Sequence, residues 1–176
     1  MTAEYGARCL IARRLVERGV RFVQVFTSTQ AWDHHHGIRN NLPNTCKKVD
    51  KPAAALVKDL KSRGLLDTTI VHWGGEMGRL PVIQNEPSSN NVGRDHNTHG
   101  FSMWLAGGGF KGGLAFGETD EFGHHAVKDV VMHTDYHQTL LHLFGLNPNK
   151  LVYKRNGLAQ SLIDGQGGRI VKEILL

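Results

Sequence analysis

Two cysteines, Cys9 and Cys46, are too few for a disulfide framework in a chain of 176 residues. Long apolar runs are missing as well. No stretch approaches the ~18 residues that a membrane-spanning helix needs, so no membrane partner is expected. Acidic residues are the minority charge, 16 against 21 basic ones, for a net charge of +5. The basic residues are scattered, and the densest groups, Arg13-Arg14 and Lys47-Lys48, are too short to track a phosphate backbone. No nucleic-acid partner is expected either. The glycine-rich segment 107–113 lacks the Lys-Ser or Lys-Thr pair of a phosphate loop and is expected to form a tight surface turn. Glu17, Arg18 and Arg21 follow Arg13-Arg14 where a twin-arginine export signal carries an apolar stretch. The arginine pair is therefore expected on the wet face of a helix, with no export signal in this chain.

What is abundant is histidine and glycine, 11 and 21 residues. Hydrophobic residues at 40% and charged residues at 21% exclude a disordered chain. The length suits one domain over 1–176, which can bury about 70% of its unfolded surface and so needs no structural metal to fold.

Helical spacing of Ala7, Leu10, Ile11 and Leu15 predicts a helix over 2–18 that Gly19 ends, with these four on one face. The β-branched and aromatic run 20–26 predicts a strand. A polar loop over 27–44 holds Trp32-Asp33-His34-His35-His36-Gly37. Val49, Ala53, Leu56, Val57 and Leu60 predict a second helix over 49–63, ended by Gly64. Strands are expected over 69–73 and 101–106, and a third helix capped by Thr134, with Leu140, Leu141 and Phe144 on its apolar side and Gly145 at its end. Ile170, Val171, Ile174 and Leu175 are expected to dock the tail. Alternation of helix and strand implies right-handed crossovers, hence an α/β fold: a layered sheet of mainly parallel strands flanked by helices. Asp33 and Glu76 then fall at the carboxyl ends of strands, where such sheets hold ligands.

Three loops carry the chemistry: Asp33 with His34, His35 and His36; Glu76; and Asp95 with His96 and His99. Carboxylate oxygen mixed with imidazole suits a divalent metal, with zinc, manganese or iron fitting better than an all-oxygen calcium site. Each loop alone reads equally as a solvated run, a salt bridge or an Asx turn. Together they form a candidate shared site. His124, His125 and His133 are weaker candidates, while His72, His137 and His142 are expected to pack or line elements.

The motifs Trp32-Asp33-His34-His35, Glu76-Met77-Gly78-Arg79-Leu80-Pro81, Gly93-Arg94-Asp95-His96 and the glycines of 107–113 resemble an uncharacterised sulfatase-like family, a domain of unknown function in the alkaline phosphatase superfamily. The segments 58–71 and 119–146 extend the likeness over nearly the whole chain. The resemblance implies a sulfatase-like α/β fold and hydrolysis of sulfate or phosphate esters. It implies metal ligands among Asp33, His35, Glu76, Asp95, His96 and His99, with either His96 or His99 completing the first metal. It also implies a divalent cofactor, zinc or manganese first and calcium or magnesium next, and a substrate that is a small anionic ester or a sulfated saccharide. Arg79 and Arg94 would hold the anionic group, or brace the loops by salt bridges. Met77 stands where a second metal's histidine would be.

By the same resemblance the nucleophile belongs to an N-terminal half, and neither Cys9 nor Cys46 fits a sulfatase nucleophile motif. The chain is then expected to be the C-terminal portion of a longer member, a kind often exported to the periplasm, and to show little esterase activity alone. An open sheet edge would favour a homo-oligomer. The competing reading is a non-catalytic metal-binding or protein-interaction domain on the same fold.

Overall fold

Glycines at 19, 64 and 145 adopt positive φ (85°, 67° and 73°) just past the ends of three helices, where a residue with a Cβ would be strained. The computed structural model describes residues 2–27, 29–162 and 166–176. Helix α1 spans Ala3–Glu17, α2 spans Ile38–Ser62 and α3 spans His133–Leu143. Among the described residues, no helix is long and apolar enough to cross a membrane.

The expected layered parallel sheet is not formed. The described strands make four separate antiparallel pairs: β1 (Val71–Trp73) with β4 (Trp104–Ala106), β2 (Gly78–Arg79) with β3 (His96–Asn97), β5 (Glu118–Thr119) with β6 (Ala126–Lys128), and β7 (Val152–Arg155) with β8 (Leu158–Ser161). The result is a small mixed α/β fold. Its physical reason lies in 20–26. That segment has the β-branched and aromatic composition of a strand but joins no ladder among the described residues. Instead it lies along α1, where Arg8 donates to the Phe26 carbonyl at 2.7 Å, and Phe22 and Phe26 stay exposed. Without that strand no βαβ crossover exists. The chain returns from β1 to β4 through residues 74–103, which carry β2 and β3 and no helix, so β4 comes back antiparallel to β1 without the helical crossover typical of a parallel pair.

Two helix faces also depart from the periodicity. In α1, Leu10, Ile11 and Leu15 are exposed, while Cys9, Ala12 and Arg13 are buried. Arg13 is therefore not on a wet face: its Nε donates to Asp59 of α2 at 2.8 Å, and its Nη1 pairs with Glu17. The α1–α2 seam is thus closed by charge and by small residues. In α3 the buried residues are Asp135, Tyr136, Gln138 and Thr139, because the tail docks there through polar groups. Arg169 N donates to Asp135 (2.8 Å), Val171 N to Thr139 Oγ1 (3.0 Å), and Gln138 to the Gly167 carbonyl (2.8 Å). Each buried polar atom so used avoids the cost of an unmade bond. Val171 is fully buried, as expected of a docked tail. Asp135, not Thr134, caps α3, accepting from Met132 N at 3.0 Å.

Helix α2 keeps the expected face, with Val49 and Leu60 buried, but it starts at Ile38, inside what reads as loop. The glycines of 107–113 do form a tight turn, with Phe110 N donating to the Gly107 carbonyl at 3.1 Å. Its first half is packed, while Gly112 and Gly113 stay exposed at the surface. A Cβ on Gly107 would lie 2.2 Å from the Leu66 carbonyl oxygen.

Candidate metal centre

Trp32 opens the first ligand loop and fixes it to the β1–β4 pair. Its ring meets Trp73 edge-on at 5.6 Å, and Trp73 stacks on Trp104 at 6.3 Å. The loop then runs against residues 92–94. Arg94 N donates to the His34 carbonyl (3.1 Å) and Ile38 N to the Val92 carbonyl (3.0 Å). Gly93 sits between them so tightly that a Cβ there would lie 1.9 Å from the His35 carbonyl oxygen. The β2–β3 register sets Arg79 opposite His96.

These supports bring three ligating groups together. One ligand atom from each of Asp33, His35 and His96 lies within 4.8 Å of the other two. Asp33 Oδ1 is 3.0 Å from His35 Nε2 and 3.2 Å from His96 Nε2, and it also receives the Arg79 guanidinium. Arg79 first, then His96, hold the Asp33 carboxyl down to about 2. The carboxylate is thus ionised at any ordinary pH.

The three consecutive histidines diverge. His34 is buried, 8% exposed, with its Nε2 unpartnered among the described residues. The His36 ring faces Asn85 at 3.2 Å. Only His35 turns to Asp33, and its other nitrogen, Nδ1, lies 2.7 Å from Gln84 Oε1. With Nδ1–H donating to Gln84, Nε2 presents a lone pair toward the Asp33 oxygen. A lone pair in that place is what a shared metal ion would take, with Asp33 as a second donor 3.0 Å away. Gln84 was not legible as a site residue; it has no motif, only its position opposite Gly93, whose carbonyl accepts from Gln84 N at 2.9 Å.

The other expected residues are placed as follows. Asp95 Oδ1 lies 3.9 Å from His35 Nδ1 and accepts from His96 N at 2.7 Å. Glu76 and His99 stay outside the triad. The Glu76 carbonyl accepts from His133 Nε2 at 3.2 Å, and His99 packs against His124 and His125. Arg79 braces Asp33 and reaches the Arg94 carbonyl at 3.2 Å. The Arg94 side chain is in no hydrogen bond or ion pair among the described residues. Cys9 is buried in α1 and Cys46 exposed on α2.

Two histidines and one carboxylate on one centre form a donor set used by zinc hydrolases and by non-haem iron sites, with coordination positions left for water or substrate. The second-neighbour bond from Gln84 to His35 matches what such sites need to fix a tautomer. The residues fit a divalent metal.

Burial lowers the His34 imidazole below its ordinary 6.5, with the Arg79 charge acting the same way. On acidification through that value the unfolded chain takes up a proton that folded His34 resists, so stability falls as pH falls. Thermal unfolding of metal-free protein should show a lower Tm at about pH 5.5 than at about pH 7.5. In His34→Gln that slope should be smaller; an unchanged slope would contradict this role for His34.

No curated protein and no solved structure matches the chain. The family described as protein of unknown function (DUF1501) matches residues 1–175, nearly the full length, and the chain belongs to it.

Proposed function

We propose that the chain is the metal-binding part of a hydrolase for sulfate or phosphate esters. The observation that supports this most is the convergence of His35 Nε2 and His96 Nε2 on one oxygen of Asp33, which also pairs with the Arg79 guanidinium. Asp33, His35 and His96 hold the ion, zinc or manganese by the chemistry of the donors. A bound ion would supply Lewis acidity toward an ester oxygen and charge to offset what develops on it.

The remaining work falls to the chain. Gln84 holds His35 in the tautomer that keeps Nε2 free. Arg79, paired to Asp33, keeps the carboxylate ionised and oriented. Arg94, two residues from His96, has its guanidinium uncommitted and supplies the fork that grips a sulfuryl or phosphoryl group. A small anionic ester or a sulfated saccharide would present that group.

Binding of inorganic sulfate and phosphate, measured by calorimetry with and without zinc, tests this reading. Anion binding should require zinc and weaken by roughly 10-fold or more in Arg94→Gln, as loss of a charge-assisted bond implies. Zinc-independent binding, or an Arg94→Gln variant equal to the parent, would overturn it.

A further inference from the structure

His99, His124 and His125 lie together apart from the triad, and nothing in the proposed hydrolase site uses them. Their ring centroids are 4.6 Å (99 to 125), 5.3 Å (99 to 124) and 4.2 Å (124 to 125) apart. The backbone under all three is pinned from both sides. Asn97, 1% exposed, accepts from His99 N at 3.0 Å and donates to the His124 carbonyl at 2.9 Å and the Gly100 carbonyl at 3.1 Å. Ala126 N donates to the His99 carbonyl at 2.9 Å. The Asp120 carboxylate accepts from His124 N (2.8 Å) and His125 N (3.0 Å). Gly100 allows the two segments to approach, since a Cβ there would meet Ala126 N at 3.0 Å and the His124 carbonyl oxygen at 3.1 Å.

The rings themselves are unused. Among the described residues, no group hydrogen-bonds to a ring nitrogen of any of the three. The Asp120 carboxylate accepts from two backbone amides and from no ring nitrogen, though it lies near enough to His125 for charge attraction. Three imidazoles this close repel one another once protonated. The three rings are gathered in one region on two segments whose backbones are tied together.

We propose that His99, His124 and His125 form a second divalent-metal site, all nitrogen in its protein ligands. Magnitudes agree: zinc–nitrogen bonds of about 2.0–2.1 Å at tetrahedral angles place imidazole centroids roughly 5 Å apart, against the 4.2–5.3 Å found. The nitrogens are not yet within joint ligating distance, as they are in the triad. The backbone is already tied, and His99 and His125 are exposed, so closure asks for side-chain rotation alone. A neutral three-imidazole set selects zinc, copper(II) or nickel(II) and discriminates against magnesium and calcium. The triad, which includes a carboxylate, is a harder site. The two therefore differ in preference as well as place.

The test is zinc titration of the whole chain by calorimetry, joined to NMR of the histidine ring protons. Wild type should take up two equivalents, the second with Kd below about 1 µM, and should shift the ring signals of His99, His124 and His125. The double variant His99→Gln with His125→Gln should retain one equivalent. Asp33→Asn should lose only the other, so the two sites can fail separately. Two equivalents in the double variant, or ring signals of these three histidines that zinc does not move in wild type, would overturn the site. So would uptake there only well above micromolar zinc.

Discussion

Replacing Gly93 by alanine is expected to destabilise the protein by at least about 3 kcal/mol and to abolish binding at the Asp33 centre. The new methyl would lie 1.9 Å from the His35 carbonyl oxygen, 2.0 Å from its carbon and 2.5 Å from His36 N. All three are backbone atoms, so no side-chain rotation relieves the overlap. The two strands of chain must separate. That breaks the bond from Arg94 N to the His34 carbonyl and moves Gln84, whose amide donates to the Gly93 carbonyl, away from His35. The effect reaches the site by geometry alone, with no ligand altered. Urea unfolding would show a lower midpoint, and a Gly93→Ala protein with parental midpoint and parental zinc binding would contradict this packing.

Asp33→Asn is expected to cost zinc affinity at the triad at least ~100-fold, the upper range for changes one shell further out. The carboxylate does three things at once. It faces His35 Nε2 and His96 Nε2, and it holds Arg79. An amide oxygen is a neutral, weaker ligand, and it leaves the Arg79 charge beside the ion unopposed. Repulsion from that guanidinium adds to the loss of the anionic donor.

These two positions differ in how far residue type alone betrays their role. The types of ligand were legible in the sequence: a carboxylate and imidazoles in successive loops call for a divalent ion, and Asp33, His35 and His96 stand in those motifs. Composition alone does not tell which histidine of His34-His35-His36 points inward; the family resemblance singles out His35, and the structure places that one beside Asp33. The turn sends adjacent side chains apart, and only the Gln84 contact and the burial of His34 separate them. His99 shares a loop with His96, yet Asn97 turns the chain between them and sends His99 to His124 and His125.

The fold was less legible. Residues 20–26 have a strand's composition, but a strand exists only where a neighbour offers its backbone, and none of the described segments does so. The β1–β4 pair was visible as two strands, yet nothing in either run states its direction. On α1 and α3 apolar spacing misled for a shared reason. Their buried faces are built from Arg13 with Asp59, and from Asp135, Gln138 and Thr139 with the tail. Polar residues that find partners in the fold look, in the chain alone, like residues facing water.

The proposed function rests on Asp33, His35 and His96 holding one divalent ion. Zinc titration of the wild-type chain and of Asp33→Asn under the same competing buffer tests it most directly. Asp33→Asn should take up one equivalent fewer, with the ring signals of His35 and His96 shifting on zinc addition in wild type only. Equal stoichiometry and equal affinity in the two proteins, with those rings unmoved, would contradict it.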